Sequence, residues 1–205
     1  LDLDSAYKYK EQQSENQLFQ SAGLSDEEDL FSSVWLSSKN RAIWLGINLL
    51  TAFLASWFIG LFEATLQQVV ALAVLMPVVA SMGGISGSQT LTLIIRGLAL
   101  GQITEVNRQS ILKKELKVAA INGVLWATVI GWITYGWFSN PMLSITICIA
   151  ILGNILVASL SGVWVPWLLN KLNIDPALSG AVILTTVTDI FGFIAFLGCG
   201  TLLLL

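Results

Sequence analysis

Five long apolar runs constrain the fold of this chain more than any other feature of its sequence. They lie at about residues 42–62, 69–95, 118–138, 143–169 and 176–205. A helix needs roughly 20 apolar residues to cross a hydrocarbon core about 30 Å thick, and each run has that length. The chain is 55% hydrophobic and only 11% charged, which is too apolar for a soluble domain of 205 residues. The sequence therefore predicts an all-α membrane protein with five transmembrane helices.

Basic residues fall on only one side of this topology, which we call the basic end. Lys39 and Arg41 precede the first run, and Lys171 lies between the fourth and fifth runs. The loops on the other side, near Glu63 and Asn140, carry no base. The positive-inside rule therefore predicts a cytoplasmic N-terminus and an extracytoplasmic C-terminus, in a multi-pass protein of the inner (plasma) membrane. The bases between the second and third runs are Arg96, Arg108, Lys113, Lys114 and Lys117.

The charge and cysteine content exclude several classes of protein. Residues 1–40 hold eight of the thirteen acids, so the net charge of −3 reflects a polarised chain, and no nucleic-acid partner is predicted. Histidine is absent from the sequence, and both cysteines, Cys148 and Cys199, lie in apolar runs. We therefore expect no disulfide framework and no imidazole or thiolate metal cluster, and any metal must be bound by oxygen ligands.

Three segments divide the chain. Residues 1–24 are polar and predict a linker from a missing cytosolic region, because the chain begins at Leu1 without a signal peptide and is expected to be part of a longer protein. Residues 25–38 begin with a capping box at Ser25 and predict a short amphipathic helix with Phe31 and Trp35 on its apolar face. Residues 39–205 form the predicted transmembrane domain.

Asp189 is the one carboxylate inside the last apolar run. It lies roughly 20 Å along a helix that begins at Pro176, near the middle of the hydrocarbon core. A charge at that depth costs on the order of 3 kcal/mol, so the side chain is expected to face protein or a water-filled path. Asp189 is therefore a functional-site candidate; the alternative is a structural aspartate that is protonated or hydrogen-bonded to a neighbouring helix.

The second apolar run contains an unusual group of small and hydroxyl residues after Pro77. Four of them share one helical face, which offers hydroxyls and bare carbonyls to a hydrated ion. Counted inward from Arg96, residues 83–88 lie roughly 12 to 20 Å deep, the same depth as Asp189. The small-residue stretch and the carboxylate are therefore expected to meet. The face is formed by Ser81, Gly84, Ser88 and Thr92, with Gln89 beside it.

Two stretches of the chain resemble a known family. The second run contains PVVASMGGISGSQTLTLIIRG at 77–97, which resembles the Pro…Gly-Gly-Asn-x-Gly-x-Gln…Arg signature of the MgtE family of magnesium channels and transporters. The fifth run contains DPAL at 175–178 and TTVTDIFG at 185–192, which resemble that family's Asp-Pro-Ala and Asp-x-x-Gly elements. The resemblance covers about residues 25–205. It implies a transport protein and not an enzyme.

The resemblance also implies an assembly and a cargo. The family forms homodimers with a pore along the dimer axis, lined by the second and fifth transmembrane helices. Hydrated Mg²⁺ would pass Asp189 as the central selectivity site, where two carboxylates would offer −2 against +2. Cytosolic CBS domains would precede the membrane domain, and residues 25–38 would be the helix that plugs its inner mouth. Two departures remove neutral ligands: Ile85 replaces a common Asn, and Ala181 and Val182 replace a common Asn-Pro.

These arguments give two sets of site residues, and membrane lipid and divalent cations are the other expected partners of the chain. One set is predicted to contact the metal ion and the other to line the pore. The predicted metal residues are Asp189, Thr185, Ser81, Gly84 and Ser88, and the predicted pore-lining residues are Gly83, Gly87, Gln89, Val182 and Gly192.

Acidic residues near the basic end form a possible regulatory Mg²⁺ site. Asp26, Glu27, Glu28 and Asp29 lie on the predicted plug helix, and Asp175 precedes the fifth run. Carboxylates from two segments repel each other unless a divalent cation bridges them, so Mg²⁺ would favour docking of the plug. The simpler interpretation is that these acids cap helix N-termini.

Two other functions remain open on the sequence alone. In a proton- or sodium-coupled secondary transporter, Asp189 would titrate and a broken second span would form half of an internal repeat. In a non-transporting membrane assembly module, Asp189 would only pack against neighbouring helices. The sequence contains no convincing internal repeat, which counts against the coupled transporter.

Overall fold

The computed structural model describes residues 33–104 and 106–205, with the side chain of Leu178 left out. These residues form six α-helices and no strand. Five of the helices are long and apolar enough to cross a membrane, which confirms the predicted all-α architecture. The helices are α1 (Val34–Gly60), α2 (Glu63–Gln68), α3 (Val70–Ala99), α4 (Arg108–Phe138), α5 (Pro141–Lys171) and α6 (Pro176–Leu204).

Two helices extend well beyond their apolar runs at the basic end. α1 begins at Val34 and α4 begins at Arg108, so each carries polar turns before its apolar run. A helix satisfies its own backbone hydrogen bonds, and it can therefore continue into the headgroup region with charged side chains in water. Residues 34–38, which the sequence assigned to a separate amphipathic helix, are the first turns of α1. The rest of that predicted helix, residues 25–32, lies outside the described residues.

The second transmembrane helix, α3, is continuous from Val70 to Ala99. Pro77 and the paired glycines lie inside it without ending it. Neighbouring helices and local adjustment can satisfy the carbonyl that a proline leaves free in a membrane helix. The coupled-transporter alternative assumed a broken second span, and that assumption is wrong for this chain.

α5 is the central helix of the bundle. Its buried side chains are distributed along its whole length, and it packs against α3, α4 and α6. α1 is the opposite case, because it packs chiefly against α6 and has Ala55 as its one buried residue. Most of the surface of α1 is therefore left for lipid or for another protein chain.

α3 and α6 are antiparallel neighbours with a regular register. Gly87 lies against Leu184, Val79 against Gly192, and Leu72 against Gly200. Interpolation along this register places Asp189 at the level of Met82, next to Gly83. The expectation that the carboxylate and the small-residue stretch share one depth agrees with this packing.

Glycines allow the helices to approach closely. A Cβ atom on Gly162 of α5 would lie 3.0 Å from the Gly87 carbonyl oxygen of α3 and 2.9 Å from Thr90 Cβ. On α4, a Cβ atom on Gly123 would lie 2.8 Å from Leu152 Cδ1 of α5. Small residues stabilise membrane bundles in this way because lipid supplies little hydrophobic drive for helix association.

Two tryptophans of α5 lie beside two of the bases at the basic end. The Arg108 guanidinium lies 3.8 Å from the ring centroid of Trp167, and the Lys171 ammonium lies 5.3 Å from the same ring. Trp164 packs edge-on against Trp167 at 6.1 Å between centroids. Such a group of amphipathic rings and cations is typical of the membrane–water interface.

We predict that Gly162→Ala destabilises the bundle by about 1 to 3 kcal/mol, because the new methyl group overlaps a backbone carbonyl that cannot move aside. Gly136→Ala is the matched control, since Gly136 also lies on a long apolar helix, and a Cβ atom added there would meet no neighbouring side chain or helix within 4 Å. Thermal unfolding of the two variants in the same detergent measures the difference. Equal melting temperatures would contradict the close α3–α5 approach.

Candidate functional site

Asp189 lies half-buried on α6, at the edge of the face that packs on α3 and α5. Thr185, one turn closer to the basic end, is exposed, and Val182 beyond it is partly buried. The Thr185 hydroxyl donates to the carbonyls of Ala181 at 3.0 Å and Val182 at 3.1 Å. The oxygen of that hydroxyl keeps its capacity to accept, so Thr185 and Asp189 present adjacent oxygen acceptors along one side of α6.

The predicted metal-contacting face of α3 is also uncovered within the protomer. Ser81 and Ser88 are exposed, and a Cβ atom on Gly84 would have no neighbour within 4 Å. The register of α3 and α6 brings this face to the depth of Asp189. All five predicted metal residues therefore lie at surfaces that the described helices leave at least partly open.

Three of the predicted pore-lining residues are instead packed inside the protomer. Gly83 and Gly192 lie against the Asn154 side chain, and Gly87 lies so close to Leu184 that a Cβ atom on it would be 3.0 Å from Leu184 Cδ1. These contacts explain why each position has no side chain, since a larger residue would push the helices apart. Whether they also line a pore stays a prediction. Gln89 is exposed beside a cavity between α3 and α4.

Asn154 is the residue that sequence reasoning missed as an organiser of the site. It is completely buried on α5, and its Nδ2 donates to the Val79 carbonyl of α3 at 2.9 Å. A Cβ atom on Gly192 of α6 would lie 2.6 Å from that nitrogen. The side chain therefore joins three helices at the depth of Asp189. The available signal was an amide in the middle of an apolar run.

The Asp175 carboxylate caps a helix in this structure. Its side chain accepts a hydrogen bond from the Ala177 backbone N–H at 2.9 Å at the start of α6, and Pro176 occupies the first helical position. This is the simpler of the two roles considered for it. The other predicted regulatory acids, residues 26–29, lie outside the described residues, so a regulatory Mg²⁺ site stays a prediction.

The described residues, 33–104 and 106–205, do not supply a cluster of three acidic, cysteine or histidine ligands for a metal ion. Asp189 is thus a single carboxylate beside hydroxyls and backbone carbonyls. Such a donor set suits a hydrated hard cation, which is contacted through its water ligands.

Comparison with known proteins agrees with the sequence motifs. A family model described as MgtE, divalent cation transporter, matches residues 76–199. The chain is 32% identical over 172 residues to the magnesium transporter MgtE of Thermus thermophilus, covering 84% of this chain and 37% of that protein. It is 28% identical over 170 residues to the magnesium transporter MgtE of Bacillus subtilis, covering 83% of this chain and 38% of that protein. The chain therefore spans well under half the length of these curated relatives.

We predict that Asn154→Ala lowers the stability of the bundle by about 1 to 3 kcal/mol, because it removes a buried hydrogen bond and leaves a cavity between three helices. Asn48→Ala on α1 is the control, since Asn48 is an exposed asparagine on another membrane helix. Denaturant unfolding in detergent measures both variants. If Asn154→Ala unfolds like Asn48→Ala, the buried amide does not organise the bundle.

Proposed function

The chain belongs to the MgtE family of divalent cation transporters, and on that premise we propose that it is the membrane domain of a magnesium transporter. The observation that carries the proposal is the common depth of Asp189 on α6 and the uncovered Ser81, Gly84 and Ser88 face on α3. The full magnesium transporters to which it is similar extend beyond the length of this chain.

Hydrated Mg²⁺ is the cargo that this chemistry favours. Mg²⁺ gives up its water ligands reluctantly, so a pore that conducts it contacts the hydration shell. Hydroxyls, backbone carbonyls and one carboxylate accept hydrogen bonds from those waters without stripping them. Ile85, the position at which the family commonly has Asn, is exposed and offers no such acceptor. In this chain the hydroxyls of Ser81 and Ser88 therefore take a larger share of the contact on α3.

A homodimer with the pore at its two-fold axis completes the site. The single Asp189 of one protomer balances half the charge of a divalent cation, and a second copy across the axis supplies the rest. The open faces of α3 and α6 support this arrangement, because side chains with polar oxygens at mid-membrane depth are costly against lipid. The pore is proposed to lie between these faces of the two protomers.

We predict that Asp189→Asn reduces Mg²⁺ flux into liposomes at least tenfold, because both axial charges are lost while the side-chain volume is kept. Glu63→Gln is the control, since Glu63 is exposed at the start of α2 and its carboxylate accepts a hydrogen bond from the Gln67 side-chain amide. A magnesium-sensitive dye reports flux, and size-exclusion chromatography reports folding. Rapid Mg²⁺ flux through a folded Asp189→Asn protein would remove Asp189 from the proposed pathway.

We predict that Gly84→Val keeps the protomer folded and blocks flux, because Gly84 has free space within the protomer and faces the proposed pore. Gly87→Val is expected to lower stability instead, since its side chain would collide with Leu184. Gly46→Val on α1, which also has no neighbour within 4 Å, is the control for the substitution itself. Unchanged flux in Gly84→Val would place the conduction path elsewhere.

A further inference from the structure

A cavity with both apolar and polar lining residues lies between α3 and α4, on the side of α3 that carries Gln89. Its volume is about 420 Å³, and Ile155 and Ser159 of α5 form part of its wall. α3 and α4 scarcely touch each other, because both pack against α5, and the cavity fills the space between them. Its polar lining residues are Ser86, Gln89, Thr90, Glu115, Asn122 and Ser159.

Glu115 is the charged residue of this cavity and is only 5% exposed. One of its carboxylate oxygens, Oε2, accepts a hydrogen bond from the Thr90 hydroxyl at 3.3 Å. The other, Oε1, lies 3.2 Å from the Lys114 ammonium, whose side chain is 70% exposed. A buried carboxylate is therefore balanced by a cation on a long, flexible and mostly solvated side chain.

Ser159 provides an independent indication of a ligand. It is 1% exposed, and its hydroxyl has no hydrogen-bond partner in the described part of the chain. A buried hydroxyl without a partner costs free energy, and native structures normally satisfy such a group with protein, water or a ligand. Ser159 also lines the same cavity as Glu115, so a group bound in that cavity is a candidate for the missing partner.

We propose that this cavity is a second cation site, distinct from Asp189, which holds a hydrated divalent cation against Glu115. Its donors are a carboxylate, hydroxyls and side-chain amides, the oxygen ligands that hard cations prefer. Six water ligands of about 30 Å³ each fit within the volume of the cavity. The site lies roughly 10 Å inward from Arg96 and Arg108, close to the basic end.

The Lys114 ammonium would compete with the bound cation for Glu115. Its ammonium occupies the position beside Oε1 that a hydrated cation would take, and its exposure lets it move into solvent. Removal of this charge is expected to tighten cation binding. A purely structural role for Glu115, as a link between α3, Lys114 and α4, gives no reason for any such gain.

The test measures Mn²⁺ binding to the purified chain in detergent by electron paramagnetic resonance. Mn²⁺ is a hard, oxygen-preferring probe, and an Asp189→Asn background removes the proposed pore site. In that background we expect Glu115→Gln to weaken binding at least tenfold and Ser159→Ala to weaken it severalfold. Lys114→Gln is expected to strengthen binding severalfold. Because binding is measured and not flux, the outcome is separate from that of the proposed pore.

Three results would overturn the proposal. The first is that folded proteins with and without the Glu115→Gln substitution bind Mn²⁺ equally well. The second is weaker binding in Lys114→Gln, and this variant keeps the test decisive if Glu115→Gln fails to fold. The third is displacement of Mn²⁺ by an equimolar concentration of K⁺ or Na⁺, which would identify a monovalent site.

Discussion

The buried amide of Asn154 holds together the part of the bundle on which the site depends. In lipid, apolar surface contributes little to helix association, so close packing and hydrogen bonds between helices carry more of the stability. Asn154 provides both a hydrogen bond and close packing, since its side chain donates to the Val79 carbonyl of α3 and fills the space left by Gly83 and Gly192. These contacts bring α3, α5 and α6 together at one depth. The position of Asp189 relative to α3 follows from that arrangement.

The fold could be predicted from the sequence because a long apolar run in a membrane protein has one main structural outcome. A run of about 20 apolar residues must cross the hydrocarbon core as a helix, and a carboxylate within it must avoid lipid. Both arguments need only distances along one helix. The five helices and the depth of Asp189 could therefore be derived before the structure, and the match to the MgtE family over residues 76–199 agrees with the motifs.

The roles of individual residues around the site were harder to derive, because helical spacing does not identify the neighbour of a face. Gly83 and Gly84 are adjacent in sequence, yet one lies against Asn154 and the other lies open. In the sequence, Asn154 is one of several polar residues within the fourth apolar run. Glu115 follows Lys113 and Lys114, so in the sequence it resembles a surface acid among bases, whereas it is buried between α3 and α4. Each distinction depends on contacts between separate helices.

The packing of α3 also fixes the rotation of this helix about its own axis. Successive residues of an α-helix point about 100° apart, so a turn by one residue would exchange the open Gly84 and Ser88 for the enclosed Gly83 and Gly87. A Cβ atom at position 83 would overlap the Asn154 side chain, and a Cβ atom at position 87 would lie 3.0 Å from Leu184 Cδ1. A turn by one residue in one direction would bring the Ser88 side chain against Leu184, and a turn in the other direction would bring Met82 and Ser86 into the two spaces. The chemistry that α3 presents at mid-membrane depth is therefore selected from inside the protomer, by two contacts on its hidden side.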